Sequence, residues 1–254
     1  MELSTWLPHY REIVKRLDLS WDEDQKAAEV LSALIDDNFT PLERLRAEIA
    51  DRNVIVFGAG PSLIDDLEGL NRTSLLSKFV LVSADGATSA LLEKVGTRPQ
   101  VIATDLDGKV EDQIRASEEG SIVVVHAHGD NVPALRRYVP RFRRRLGSTQ
   151  VEPRKGVYNF GGFTDGDRAV FLSLELGASA LVLAGMDFGV SVGTYSKPQP
   201  YSLGLKVAKL SIGLELLEWL AADITGIPLY NVTRKGVPIK GFKKIEVAEL
   251  KRLF

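Results

Sequence analysis

"NVIVFGAGPSL", residues 53–63, is an unbroken β-branched run, a pair of glycines one residue apart, and the start of a helix. The design recurs. "FVLVSADG" (79–86), "QVIATDLDG" (100–108), "SIVVVHAHGD" (121–130) and "ALVLAGMDFG" (180–189) are short apolar runs that each close on Gly, Asp or His. Continuous rather than alternating apolar residues predict strands buried on both faces of a sheet. Helix-like segments fill the gaps, at 62–77, 87–95, 109–119, 131–145 and 165–176. Alternation of this kind predicts an α/β fold, a doubly wound and largely parallel sheet. In such sheets the ligand crevice lies beyond the carboxyl ends of the strands. Four successive strand ends carry polar residues, and that predicts one shared site.

Outside this core the pattern differs. Within residues 1–50, "WDEDQKAAEVLSALIDD" puts Ala28, Val30, Leu31, Leu34 and Ile35 on one helical stripe. Ser20 and Asp22 are its caps, with Asp24 favouring the helix start. "TPLERLRAEIADR" predicts a further helix, with Thr40 as N-cap and Pro41 at its first position. The end of the chain, "IPLYNVTRKGVPIKGFKKIEVAELKRLF", predicts a strand, a glycine turn, a short extended piece and a terminal helix. The expected organisation is therefore an N-terminal helical region (1–50), an α/β catalytic domain (51–235) and a small C-terminal extension packed on it (236–254).

Composition removes several function classes. The 254 residues are 44% hydrophobic and 26% charged, ordinary for a soluble globular chain. A net charge of −2 gives no bulk attraction to nucleic acid or an anionic membrane. The one basic cluster, "RRYVPRFRRR" (136–145), reads as a solvated helix face or loop. With no cysteine, disulfide and thiolate chemistry are excluded. No apolar run reaches the ~20 residues that span a bilayer. The N-terminus carries charges throughout, without a signal-peptide core. A cytoplasmic protein is expected; its oligomeric state, a homo-oligomer included, stays open.

Each strand end allows a plain structural reading beside a chemical one. Gly58 and Gly60 permit close backbone approach, and the amides of the helix N-terminus that follows Pro61-Ser62 would face an anion. Leu63 stands where a dinucleotide fingerprint needs its third glycine, so a nucleotide phosphate is favoured over NAD. Asp105 and Asp107 fall on one side of an extended segment, a placement suited to Mg²⁺. A helix cap would account for Asp107 but not for Asp105. Asp85-Gly86 is an Asp-Gly turn, or a hold on metal-bound water, a ribose hydroxyl or a base. His126 and His128 lack a third zinc ligand and read as phosphate or substrate contacts, or as groups orienting the acids. In "NFGGFTDGDRA" (159–169), Thr164-Asp165 can cap a helix, Asp165 can extend the metal set, and Arg168 suits phosphate. "GTYSKPQPYS" (193–202), with Lys197, is either a mobile lid or a surface loop. Asn159, Phe160 and Asp187 are candidates for an acceptor pocket.

Taken in order, "GAGPSL", "SADGA", "TDLDG", "HAHGDN" and "NFGGFTDGDRA" resemble the archaeal 6-hydroxymethyl-7,8-dihydropterin pyrophosphokinase (MptE-like) family over about Val54 to Phe242. Thiamin pyrophosphokinase is more distantly similar, through Asp85-Gly86, Asp105-Leu106-Asp107 and Thr164-Asp165. That family has Lys-Asp-x-Thr-Asp where this chain has Gly-Gly-Phe-Thr-Asp, so Arg168 or Lys155 would supply the positive charge. The resemblance implies a thiamin-pyrophosphokinase-like core and a Mg²⁺-dependent reaction of folate or tetrahydromethanopterin synthesis. In it, ATP and the pterin alcohol give AMP and the pterin diphosphate. It implies Asp105, Asp107 and Asp165 around the metal, Gly58, Gly60, Pro61, Ser62 and Gly86 near nucleotide, and Asp85, His126, His128 and Arg168 completing a polar ring. Two alternatives stand beside it: diphosphate transfer to another alcohol such as thiamin, and a non-catalytic nucleotide- or sugar-nucleotide-binding module.

Overall fold

The computed structural model describes residues 2–35, 39–189, 193–196 and 203–254. Three helices come first: α1 (Leu3–Leu17), α2 (Trp21–Ile35) and α3 (Leu42–Ile49). Then β and α elements alternate: β1 (Asn53–Phe57), α4 (Leu63–Arg72), β2 (Val80–Ala84), α5 (Ala87–Val95), β3 (Val101–Thr104), α6 (Val110–Glu118), β4 (Ile122–Ala127) and α7 (Val132–Tyr138). The chain continues through β5 (Arg145–Thr149), β6 (Val157–Tyr158), α8 (Asp165–Glu175), β7 (Ala180–Ala184), α9 (Leu203–Asp223), β8 (Leu229–Asn231), β9 (Lys243–Lys244) and α10 (Val247–Leu253). The strands form one sheet ordered β6-β5-β4-β3-β2-β1-β7-β8-β9, and every pairing is parallel. The order reverses between β1 and β7, the kind of switch point at which α/β sheets open a crevice. The doubly wound α/β fold expected from the strand runs is the fold observed.

Alternate residues of a strand feed opposite faces. Val54 and Val56 of β1 enter a core shared with α1, α2, α8 and α9, while Ile55 and Phe57 enter a second core under α4, α5 and α10. The N-terminal helices are seated directly on the first of these. Trp6, Tyr10, Ala28, Leu31 and Ile35 are fully buried there. Trp6 stacks on Tyr10, meets Phe171 edge-on, and donates its Nε1 hydrogen to the Gln150 carbonyl at 2.9 Å. On the outer side of α1, His9 packs over Trp219 of α9 and Arg16 pairs with Glu215.

The structure differs from the sequence expectation in several details, among them Pro41 rather than Thr40 as the N-cap of α3. The helix expected over 131–145 stops at Tyr138, passes through a short 3-10 turn, and gives way to β5. "RLGST" carries a single large apolar residue, so no apolar run marks the strand. Gly147 nevertheless must be small, because a Cβ there would lie 2.7 Å from Val157 and 2.8 Å from Leu31 of α2. Asp24 does not dress the solvent end of α2 as a helix-start charge; it is 5% exposed and hydrogen-bonded within the fold. Among the described residues, no helix is long and apolar enough to cross a membrane.

Trp6→Ala removes a fully buried aromatic through which α1 packs on Phe171 and the core. It should destabilise the chain by about 3–5 kcal/mol, read as a lower urea midpoint with an unchanged slope.

Candidate functional site

At the tips of β2 and β3, two adjacent strands meet as an acidic corner. Asp85 follows β2 with a left-handed backbone, φ +38°, and its amide donates to the Ala103 carbonyl at 2.8 Å. Its Oδ1 accepts from Thr104 Oγ1 (2.7 Å) and Gln113 Nε2 (2.8 Å). Thr104 in turn accepts the Leu106 amide at 2.9 Å, which ties Asp85 to the turn carrying the other two acids. Leu106 is left-handed as well, φ +69°, with its side chain buried. The segment is thus a turn rather than the extended stretch inferred from alternation, and a left-handed leucine is a strained conformation held by its surroundings. Asp105 and Asp107 still converge. One oxygen from each of Asp85, Asp105 and Asp107 lies within 4.8 Å of the others. Gly108 makes this approach feasible, since a Cβ there would collide with Asp85 Oδ2. The donors are all hard oxygens, and this set fits a small divalent cation such as Mg²⁺. Asp165 is not one of the three.

The β4 tip divides its two histidines. His126 is fully buried, with Nδ1 3.1 Å from Ser148 Oγ, and does not line the cavity. Burial first, then the nearby Arg168 and His128, hold its pKa well below the usual value, so it remains neutral. Its expected contact with substrate is therefore replaced by a structural role. His128 does reach the cavity, and its Nε2 lies 3.4 Å from Asp105 Oδ2. Asn131 sews this loop to the acidic corner. Its Nδ2 donates to the carbonyls of Asp105 (2.9 Å) and His126 (2.8 Å), and its Oδ1 accepts the His128 amide (3.1 Å).

The helix α8 opens with a division of labour between its two aspartates. Asp167 is buried and accepts from the amides of Phe163 (2.6 Å) and Thr164 (2.8 Å) and from the Thr164 hydroxyl, a capping arrangement. Asp165 faces the cavity instead. Burial, and then the Asp105 charge, push its pKa well above the usual carboxylate range. Arg168, 5% exposed, pairs with it at 3.2 Å and also donates to the Phe163 carbonyl at 2.7 Å. Lys155 is exposed and absent from the cavity wall, so Arg168 is the basic group this end of the site provides.

At the β1–β7 switch point the geometry corrects the expected phosphate cradle. The Gly58 amide donates to the Ala184 carbonyl and the Gly60 amide to the Gly185 carbonyl, both at 2.9 Å. Ser62 is fully buried and gives its amide (2.9 Å) and hydroxyl (2.5 Å) to Asp187. The Gly58, Gly60 and Ser62 amides are thus engaged by the end of β7 and the residues after it, and neither Pro61 nor Ser62 lines the cavity; Gly58, Ala59 and Gly60 do. Gly60 has to lack a side chain because a Cβ would strike Asp187 Oδ2. From α4 the buried Asp66 Oδ2 accepts the Gly185 amide at 2.9 Å.

These tips surround a cavity of about 390 Å³, within the size range of small-molecule sites. Its remaining walls come from the α1–α2 corner (Asp18–Ser20, Glu23, Asp24), the apolar Met186 and Phe188, and Lys206 and Lys209 of α9. Gly86, Gly193, Tyr195 and Ser196 also reach it, and Tyr195 donates its hydroxyl to Glu93 at 2.8 Å. Lys197 and the rest of the expected lid, through 202, lie outside the described residues. Of the acceptor-pocket candidates, Asp187 lines the cavity but is engaged by Ser62. Asn159 and Phe160 stand away from it, Asn159 bonding the Val151 carbonyl and the Gly161 amide, and Phe160 buried in the core. Sequence reasoning missed Asp24, Asn131, Gln150 and the α9 lysines. The strand-end pattern contains no signal for them.

Fold and cavity together define a parallel α/β enzyme with a carboxylate corner at its strand tips. The chain belongs to the 6-hydroxymethylpterin diphosphokinase MptE-like family, whose model matches residues 29–193. It is 45% identical over 225 residues to the 6-hydroxymethyl-7,8-dihydropterin pyrophosphokinase of Methanothermobacter thermautotrophicus, covering 87% of this chain and 95% of that protein. The protein of the same name from Pyrococcus furiosus is 45% identical over 226 residues, covering 87% and 94%. That from Methanocaldococcus jannaschii is 36% identical over 236 residues, covering 88% and 98%.

Asp66 supplies a pH test of the β7 tip. Burial pushes its pKa up from 3.8 to about 7; the Gly185 amide opposes this and Asp187 adds to it, with Arg234 and Lys244 the cations nearby. A carboxyl whose pKa is higher folded than unfolded keeps its proton preferentially in the folded chain. Its contribution to stability therefore declines as pH rises from about 4 to about 7. Asp66→Asn should flatten that part of the profile, raising the thermal midpoint at pH 8 relative to wild type by several degrees while changing it little at pH 4.5.

Proposed function

We propose that this chain transfers a diphosphate group from ATP to the hydroxymethyl oxygen of 6-hydroxymethyl-7,8-dihydropterin, with Mg²⁺, releasing AMP and the pterin diphosphate. The observation that carries the reading is the convergence of Asp85, Asp105 and Asp107 at a cavity in a chain of this family. In the reaction the alcohol oxygen forms a bond to the β-phosphorus and the bond from that phosphorus to the α,β-bridging oxygen breaks. The alcohol's proton is released, and the bridging oxygen leaves with AMP. Such transfers need alignment and charge neutralisation more than covalent help from the protein.

Asp85, Asp105 and Asp107 would hold Mg²⁺, which neutralises phosphate oxygens and limits their orientation. Arg168, Lys206 and Lys209 bring positive charge to the cavity wall for the remaining phosphate oxygens. Asp165 stands opposite the acidic corner and holds water or orients the alcohol's proton. Gly58, Gly60 and Gly86 line the cavity, where the nucleotide would lie against their backbone. Met186 and Phe188 offer apolar surface to a flat heterocycle. The cysteine-free chain suits a reducing compartment, and we place the activity in the cytoplasm, serving folate- or methanopterin-type cofactor synthesis.

The test is a product assay with ATP, Mg²⁺ and either the dihydropterin alcohol or thiamin. AMP and pterin diphosphate should form with the first acceptor only. Turnover with thiamin alone would replace the acceptor, and nucleotide binding without AMP release would replace catalysis by binding. Asp105→Asn should lower turnover by roughly 100-fold or more while circular dichroism and the thermal midpoint stay near wild type. Full activity in that variant would remove Asp105 from the metal site.

A further inference from the structure

A buried polar path runs from the N-terminal helices to Arg168 and to the loop that carries His128. Asp24 of α2 is its root. Asp24 Oδ2 accepts the Tyr10 hydroxyl hydrogen and, at 3.1 Å, a Gln150 Nε2 hydrogen. The same Nε2 also donates to Tyr10 Oη at 2.7 Å. With Nε2 turned to this pair, Gln150 Oε1 faces Arg168 Nη2 at 3.4 Å. Asp24 Oδ1 accepts the Gly129 amide at 2.8 Å, directly behind His128. Asp24, Gln150 and Arg168 are all at least 95% buried, at the edge of the cavity they line.

We propose that Asp24 is a positioning residue of the active site: through Gln150 it orients the Arg168 guanidinium, and through Gly129 it fixes the loop that presents His128 to Asp105. The inference rests on the reading that this cavity binds and transfers a diphosphate. Its logic is one of donor and acceptor. A carboxylate only accepts, so it admits a single orientation of the Gln150 amide, the one with oxygen toward Arg168. Tyr10 reinforces this, because burial and the Asp24 charge raise its pKa and keep its hydroxyl a donor. An asparagine at position 24 has one oxygen for two accepting positions, so its N–H groups would face either the Gly129 amide, releasing the loop behind His128, or Gln150, which would turn to accept them. In the second case the glutamine's own N–H groups would face the Arg168 guanidinium, donor against donor, and displace it.

The test compares Asp24→Asn with the double variant Asp24→Asn/Gln150→Glu, each assayed below its own unfolding midpoint. In the double variant the carboxylate introduced at position 150 accepts from the new amide at position 24 with one oxygen and from Arg168 with the other. Asp24→Asn should lower kcat by about 10–100-fold with little change in KM for the pterin alcohol. It should also weaken binding of inorganic pyrophosphate with Mg²⁺, measured by calorimetry, by about 10-fold. The double variant should recover most of both. Calorimetry keeps the two claims separate: a wild type that binds pyrophosphate but does not turn over overturns the pterin reading, while the variants' affinities still decide this one. Unchanged pyrophosphate affinity in Asp24→Asn, or a loss that Gln150→Glu does not repair, overturns the proposal. Should Asp24→Asn not fold, Gln150→Met cuts the same path at its middle; the same loss is expected, and wild-type affinity there overturns it equally.

Discussion

Asp85 sits beneath the Asp105–Gly108 turn, held on one oxygen by Thr104 and Gln113, and the acidic corner exists because of that seat. Both donors are neutral, so they fix the carboxylate without cancelling its charge. Thr104 also receives the Leu106 amide, and one hydroxyl thereby sets the distance between two strand tips. Three carboxylates this close repel each other, and two of the residues involved in the corner are held with left-handed backbones. The fold tolerates both because β2 and β3 lie well inside a nine-stranded parallel sheet, buried on each face. A rigid scaffold can keep charges where isolated chain segments would separate.

Around that corner, the basic groups arrive from other directions. Arg168 comes from the first turn of α8, His128 from the loop after β4, and Lys206 and Lys209 from α9. Two of these arms are steadied by neutral amides or carbonyls: Arg168 by Gln150 and the Phe163 carbonyl, the His128 loop by Asn131. Basic groups therefore border the acids, with Arg168 paired to Asp165 and His128 Nε2 3.4 Å from Asp105. The cavity keeps both signs, as a site for a cation and a polyphosphate together requires.

What the sequence made legible follows from how each element is encoded. β1, β2, β3, β4 and β7 are continuous, mostly apolar runs with polar residues after them, and both the strands and the acids at their tips could be read from them. β5 could not, because "RLGST" is a strand only by virtue of neighbours that cover Gly147. The helix α9, apolar around most of its circumference over "LGLKVAKLSIGLELLEWL", shows no clean stripe to read and was not anticipated. Asp107 and Asp105 announced themselves by spacing. Asp24 and Gln150 are ordinary polar residues in sequence, 126 positions apart, and acquire meaning only where the chain brings them together. Ser62 failed in the opposite sense: its motif is legible, but β7 and the residues after it take the hydrogen bonds the motif was expected to offer a ligand.

That seam between β1 and β7 has a consequence for how the site grips charge. A glycine loop with vacant amides holds an anion through fixed dipoles, which dissolved ions screen poorly at contact distance. Here the amides of Gly58, Gly60 and Ser62 are already satisfied inside the molecule. On the proposed reading, the attraction for a polyphosphate would fall instead on ammonium groups, one guanidinium and a counter-cation, all of them interactions that ionic strength attenuates. Nucleotide affinity would then be coupled to the salt content of its surroundings more tightly than in a loop that binds through its own backbone.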